Sequence, residues 1–353
     1  MRIFHVITLS SVGGAQSVVV NLVNAQVMEG NEVWVVSSAS GEAWKALRPE
    51  VKVIGIRQLR RSIGWRDGIV LLKLFYLRWK YRPDVVHLHS SKTGALGRLV
   101  FSSRKTVYTV HGFDSIRVAN RFFLPLEKLL KNWCSEIVAV SHYDEQNLKA
   151  EGIREKVTSV YNGIDDKFVV DIENLDRGIR KKTQLFRLRF ERIVMCIARD
   201  DAPKRIDLFI EVARLLPEYG FVWIGNNEEY DKGENVFLLG RIPLAWQLLE
   251  YADVFVLPSN YEGLPMSIIE ALAFGKPIVA SDVGGITELL DGRNGFAVEN
   301  DAGVMAAKIR YILDAPERYN AMAQCARQTY LDKFTVDRMV EEYNRIYRKI
   351  TLK

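Results

Sequence analysis

The sequence predicts an α/β protein made of two doubly wound, Rossmann-like domains that face each other across a cleft. Three observations carry this expectation. Short apolar runs alternate with helical patterns along the whole chain, the order that gives mainly parallel sheets. Many of the runs are apolar at consecutive positions, as strands covered by helices on both faces must be. A turn at Asn162-Gly-Ile-Asp165, followed by the polar stretch 166–192, divides the 353 residues into two lengths that can each bury a core.

In the first length, strands are expected at Ile3–Leu9, Val33–Ser37, Val51–Ile54, Val85–His89, Thr106–Val110, Glu136–Val140 and Val157–Tyr161. Helical periodicity fills the gaps at Ala15–Glu29, closed by Gly30, and at Trp65–Tyr81. The second length repeats the pattern with Ile193–Ala198, Phe221–Ile224, Val236–Leu239, Val254–Leu257 and Ile278–Ser281. The expected domains are 1–165 and 166–335, with a hinge at the turn and the stretch after it. A terminal helix over 336–353 is free to pack back on the first domain. Ligands of such sheets bind at the carboxyl ends of the strands, so side chains in those loops are the ones to read for function.

Composition is that of an ordinary globular protein, 48% hydrophobic and 26% charged. Cys134, Cys196 and Cys325 lack metal-ligand or disulfide spacing and suit a reducing compartment. The opening run Ile3–Leu9 is too short for a signal peptide and no stretch has the length of a membrane span, so a cytoplasmic protein is expected. Charge is uneven. Residues 1–165 hold 23 basic against 14 acidic side chains, a surplus of 9, while the remainder is acidic by 3. Residues 57–82 concentrate this surplus, with eight basic side chains against Asp67 alone, interleaved with Trp65, Phe75, Tyr76, Trp79 and Tyr81. That mixture suits a peripheral helix on an anionic membrane surface, or a packed helix with a basic outer face. No nucleic-acid module is present, and nucleic acid is not an expected partner.

The most informative stretch is Tyr261-Glu-Gly-Leu-Pro-Met-Ser-Ile-Ile-Glu270. Pro265 suits a first helical position and Gly275 the residue past the end, which sets a helix over about 265–274. Amides of Leu264, Met266 and Ser267 at its start then lack intrahelical partners and offer an anion site. Glu262 precedes this helix and Glu270 lies inside it among apolar neighbours. A carboxylate beside a phosphate is repelled, so both are better read as acceptors for hydroxyl groups of a phosphorylated, sugar-bearing ligand. Arg199 and Lys204 follow the first strand of the second domain and suit a pyrophosphate, with Asp200, Asp201 and Asp207 as alternative partners for the two cations. In the first domain, Gly13 and Gly14 open the first helix without making a dinucleotide fingerprint. His111 ends a strand on a glycine turn. His87 and His89 share one face of their strand, but no third ligand at convincing spacing accompanies them, so no metal site is expected.

These residues resemble glycosyltransferase family 4, a family of retaining enzymes. The likeness lies in Glu262 and Glu270 separated by seven residues, the continuation Ala271-Leu-Ala-Phe-Gly-Lys-Pro-Ile-Val-Ala-Ser-Asp-Val-Gly-Gly285, Arg199 with Lys204, Val160-Tyr-Asn-Gly-Ile-Asp165, His111-Gly and Gly13-Gly14. The resemblance implies the GT-B fold, with an acceptor domain first and a nucleotide-sugar domain second. It implies that Arg199 and Lys204 hold the donor diphosphate, Glu270 the ribose and Glu262, with Gly263, the transferred sugar. His111 then lies near that sugar, Gly14 near the diphosphate, and Gly225, Arg241 and Ile242 beside the base. The implied activity is retaining transfer from a nucleoside-diphosphate sugar, UDP-linked, to a glycan or lipid-linked acceptor of envelope or capsular polysaccharide, with no cofactor and no essential metal. Gln16 stands where the family often has an acid, and Ala198 where a glycine often precedes the arginine. A sugar-nucleotide epimerase and a catalytically silent nucleotide-binding subunit are the alternatives on the same architecture.

Overall fold

The computed structural model describes residues 1–39, 41–166 and 187–352. Most of the stretch expected to carry the hinge, 166–192, lies outside the described residues. The chain forms two compact units, Met1–Asp165 with Thr335–Lys353, and Asp166–Phe334.

The first unit is built on seven parallel strands: β1 (Arg2–Val6), β2 (Glu32–Ser37), β3 (Lys52–Gly55), β4 (Val85–His89), β5 (Thr106–Val110), β6 (Glu136–Ala139) and β7 (Val157–Ser159), in the order β3-β2-β1-β4-β5-β6-β7. Register explains why these runs carry apolar side chains on both faces. Phe4 lies beside Trp34 and Val86, and Val6 beside Val36 and Leu88, on one face. Val70, Leu74 and Leu77 of the helix Arg66–Tyr81 join that core. The intervening positions Val33 and Val35 point to the opposite face, where Val19, Val20 and Val23 of the helix Gly14–Met28 cover them. Each such side chain removed from water contributes about 1.5–3 kcal/mol.

The helix Val336–Thr351 belongs to this unit and packs on the helix Gly14–Met28 and on β4. Thr335 caps it, and Val336, Met339, Val340, Tyr343, Tyr347 and Ile350 form its buried stripe at helical spacing. Strand β1 ends three residues before the expected Leu9. Ile7 N–H still donates to the Val36 carbonyl at 3.0 Å, but beyond it Thr8 N–H donates to Ser90 Oγ at 3.2 Å and Ser10 N–H to Ser38 Oγ at 3.0 Å.

Among the described residues the second unit has six parallel strands: β8 (Ile193–Ile197), β9 (Gly220–Ile224), β10 (Val236–Leu238), β11 (Val254–Leu257), β12 (Ile278–Ser281) and β13 (Gly295–Val298), in the order β10-β9-β8-β11-β12-β13. Strand β13 was not expected, because Gly-Phe-Ala-Val follows a Gly-Arg-Asn-Gly turn and is only partly buried. Among the described residues no helix is long and apolar enough to cross a membrane. The three cysteines are free. Cys134 and Cys196 are buried, and burial pushes the Cys134 thiol up to about 11 and the Cys196 thiol higher still.

Candidate active site

Strand order fixes where the second unit gathers its polar side chains. The order reverses between β8 and β11, and this is the switch point of a doubly wound sheet. The loop after β8 carries Arg199 and Lys204, and the loop after β11 carries Glu262, Gly263 and Leu264. Both leave the carboxyl edge at the switch point. Backbone bonds join the two loops, Asn260 N–H to the Pro203 carbonyl at 2.9 Å and Arg205 N–H to the Pro258 carbonyl at 3.1 Å. Behind them Ser259 N–H donates to Ser281 Oγ at 2.8 Å, which ties the end of β11 to β12.

Lys204 and Glu262 form a hydrogen-bonded ion pair across these loops, with side chains only 16% and 11% exposed. Such a pair is held by its geometry, since removing either partner leaves a poorly solvated charge. Arg199 is different. It pairs with Asp201 at 2.9 Å, with both side chains about half exposed, an interaction worth little in water. Of the loop acids, Asp201 thus takes Arg199, and Asp207 takes Arg205 at 2.7 Å. Asp200 serves neither cation. It accepts Asn227 N–H and Nδ2–H at 2.6 Å each and Glu228 N–H at 3.1 Å, which staples the loop after β8 to the loop after β9. Partial burial opposes charge on Asp200, but these donors outweigh it and hold its carboxyl below the usual range.

Two glycines are required by close approach. A Cβ on Gly284 would sit 1.8 Å from the Glu262 carbonyl oxygen, and its φ is +59°. The loop after β12 therefore lies against the Glu262 backbone, and Gly285 N–H adds a bond to the Gly263 carbonyl at 3.0 Å. Gly225, with φ +119°, would place a Cβ 2.4 Å from the Ala198 carbonyl, directly before Arg199. Arg241 and Ile242 follow Gly240, whose N–H donates to Asn226 Oδ1 at 2.8 Å. Arg241 is exposed and Ile242 half-buried.

The helix after Glu262 runs Met266–Ala273, one residue shorter at each end than expected. Pro265 is its extended N-cap rather than its first helical residue, because its carbonyl already accepts Ile268 N–H at 3.2 Å and Ile269 N–H at 3.4 Å. Leu264 therefore precedes the cap, and the first-turn amides outside the helical ladder belong to Met266 and Ser267. Glu270 lies one turn further on and is half-buried between Ile269 and Ala271. Gly275, at φ +61°, ends this helix.

In the first unit, Gly13 caps the helix Gly14–Met28 with extended backbone, and Gln16 Nε2 donates to the Leu9 carbonyl at 3.0 Å, closing the loop after β1. His111 follows β5. Its Nε2 lies 3.0 Å from His89 Nδ1, and His89 Nε2 lies 3.1 Å from His5 Nδ1. The third imidazole, absent from the local spacing, is thus His5, which the β1–β4 ladder sets opposite His87. His5, His87 and His89 are fully buried, and their nearest nitrogens lie within 4.8 Å of one another. Burial lowers His5 and His111 to about 4. Burial first, then neighbouring imidazoles, lowers His87 and His89 well below the ordinary value. Only knowledge of strand order could have joined His5 to His87.

The helix Arg66–Tyr81 buries only Val70, Leu74 and Leu77. It leaves Leu72, Phe75, Tyr76 and Trp79 exposed, and Ile63 and Trp65 just before it are exposed as well.

With this geometry the chain can be set beside known proteins. Residues 12–168 match Glycosyltransferase Family 4, and residues 180–329 match Glycosyl transferases group 1. The O-antigen biosynthesis glycosyltransferase WbnH of Escherichia coli is 29% identical, with 98% of each chain covered. The UDP-Gal:alpha-D-GlcNAc-diphosphoundecaprenol alpha-1,3-galactosyltransferase of the same species is 26% identical over 98% of this chain and 96% of its own. The structure of Anabaena Alr3699/HepE in complex with UDP-glucose has a TM-score of 0.81 at 19% identity, covering 99% of this chain and all of that one, which shows a shared fold.

Proposed function

Because this chain belongs to glycosyltransferase family 4, we propose that it is a retaining, metal-independent enzyme that moves a sugar from a UDP-sugar to a lipid-linked acceptor in envelope or capsular polysaccharide synthesis. The observation that carries this reading is the Lys204–Glu262 pair at the switch point of the second sheet. A diphosphate arriving there competes with Glu262 for the Lys204 ammonium, and the freed carboxylate accepts from sugar hydroxyls. Lys204 and Arg199 then offset the charge that grows on the diphosphate as its bond to the anomeric carbon breaks. The acceptor oxygen bonds to the same face of that carbon, and its proton passes to the departing phosphate oxygen. Glu270 is assigned to the ribose, and the first-turn amides of Met266 and Ser267 to phosphate. The loops at Gly225, Arg241 and Ile242 are assigned to the base. In the first unit, Gly14 is assigned to the diphosphate and His111 to a hydroxyl of the transferred sugar.

The relatives supply the substrate classes. One is named for O-antigen biosynthesis, another for a UDP-sugar donor and a diphosphoundecaprenol-linked acceptor. A membrane-borne acceptor also gives a use to the cationic, aromatic segment 57–82, whose exposed Trp65 and Trp79 suit the interface of an anionic bilayer.

The test is transfer from a panel of UDP-sugars to a diphosphoundecaprenol-linked sugar with EDTA present. Lys204→Ala and Glu262→Ala should each lower kcat by about 10²–10³, as loss of one electrostatic contact to developing charge does. Undiminished transfer by both variants overturns the mechanism, and loss of wild-type transfer in EDTA overturns its metal independence.

A further inference from the structure

The first unit buries a continuous chain of hydrogen bonds that starts at His111 and ends on the helix Val336–Thr351. From His111 Nε2 it runs to His89 Nδ1 at 3.0 Å, from His89 Nε2 to His5 Nδ1 at 3.1 Å, and from His5 Nε2 to Gln26 Oε1 at 2.8 Å. Gln26 Nε2 faces the Tyr347 hydroxyl at 3.5 Å. That hydroxyl lies 2.6 Å from His87 Nδ1, His87 Nε2 lies 2.6 Å from Thr109 Oγ1, and Thr109 Oγ1 lies 3.1 Å from the Tyr343 hydroxyl. Both ring nitrogens of His5, His87 and His89 therefore have a partner. A metal bound by these three would have to displace hydrogen bonds that the imidazoles already make.

A neutral imidazole has one donor and one acceptor nitrogen, so fixing one bond in such a chain fixes the rest. The Gln26 carboxamide sets the sense. Its oxygen takes the proton of His5 Nε2, which leaves His5 Nδ1 to accept from His89 Nε2–H. His89 Nδ1 must then accept from His111 Nε2–H. On the other side, Gln26 Nε2–H donates to Tyr347, whose own hydrogen goes to His87 Nδ1. The contact with His89 is the one hydrogen bond that the His111 ring makes among the described residues.

We propose that this relay holds His111 as the Nε2–H tautomer, leaving Nδ1 as a bare acceptor that recognises a hydroxyl donor on the substrate, with His89, His5 and Gln26 as its positioning residues. The proposal deepens the reading above, since it rests on His111 meeting the transferred sugar, and it adds a selectivity. The sugar atom facing Nδ1 must carry a hydrogen, so the deoxy or O-methyl analogue at that position loses the contact while the rest of the donor still binds. The loop His111-Gly112-Phe113, in which Gly112 takes a φ of +97°, is not asked to orient His111 by itself. Three strands and two helices do so from within the core.

The experiment is long-range ¹H–¹⁵N correlation on ¹⁵N-histidine protein at pH 7, with the five histidines assigned through single His→Gln variants. The expected result is a protonated Nε2 and an unprotonated Nδ1 on His111, His89 and His5 alike. A His111 protonated on Nδ1, or on both nitrogens, overturns the proposal. This readout does not depend on transfer. Protein that shows the expected tautomers but moves no sugar leaves the relay standing and removes the functional reading. Gln26→Glu keeps an acceptor on His5 and should preserve the tautomers. Gln26→Leu should mix them and lower kcat/KM about tenfold, the worth of one hydrogen bond, and unchanged tautomers in a folded Gln26→Leu protein count against the relay.

Discussion

Acid should loosen one unit of this protein and spare the other. All five histidines of the chain lie in the first unit, and the second has none. His5 is fully buried and its folded value is lowered from 6.5 to about 4, chiefly by burial. Between those two values the unfolded chain binds a proton that the folded unit refuses, so stability is present above pH 6.5 and is lost as pH falls toward 4. From pH 7 to pH 5 the loss from His5 alone is about 2 kcal/mol, since each pH unit inside the window costs about 1.4 kcal/mol. His87, His89 and His111 are lowered as well and act in the same direction. Asp200 is held below its usual range, so its contribution fades only at lower pH, outside this interval. Two units need not unfold together, so one global melting curve is the wrong assay. Hydrogen exchange by mass spectrometry, corrected for intrinsic rates, reports each sheet separately. Peptides from β1 and β4 should lose at least about 2 kcal/mol of protection between pH 7 and pH 5, while peptides from β8 and β11 hold theirs. Equal losses in both sheets, or none in the first, would refute the reasoning.

Three further outcomes can be checked. Glu127→Ala strands the buried Arg98 guanidinium, now 2.5 Å from Glu127 Oε2 and stacked on Tyr108, and should cost about 3–5 kcal/mol in urea denaturation of the first unit. A cost below about 1 kcal/mol would show that water reaches Arg98. Gly284→Ala puts a methyl group where the Glu262 carbonyl sits, at a left-handed φ. It should abolish UDP-sugar-dependent thermal stabilisation while the far-ultraviolet circular dichroism stays that of wild type. Replacing Trp65 and Trp79 with Ser should release the protein from vesicles containing phosphatidylglycerol, with transfer to a water-soluble acceptor unchanged. Equal vesicle binding by wild type and variant would leave segment 57–82 as a packed helix with a basic face.

What was legible in the sequence was local chemistry with a strong pattern. Val85–His89, Thr106–Val110, Val254–Leu257 and Ile278–Ser281 are strands over the residues expected, because each is rich in apolar and β-branched residues and bounded by turn or polar residues. The stretch Glu262–Glu270 was laid out as a loop and a helix for the same reason, since its pattern is continuous in the sequence. Pairing across distance was not readable. Lys204 was matched with Arg199 as a second cation, yet the bridge that joins it to Ser259 brings it to Glu262. The acids nearest to it in sequence go to Arg199, Arg205 and the Asn227 backbone.

The histidines make the same point with more consequence. A strand shows only which of its own residues share a face, so His87 and His89 were seen together and His5 was not. Their contact depends on β1 and β4 being neighbours, which is the very step where the first sheet reverses its order. A doubly wound sheet sets two strands distant in sequence side by side at one place, and it does so in both units. In the second unit that place joins Lys204 to Glu262, and in the first it joins His5 to the face leading to His111. Long-range chemistry in this protein therefore collects where strand order reverses. A sequence reading that first settles strand order would then know which distant polar residues to compare.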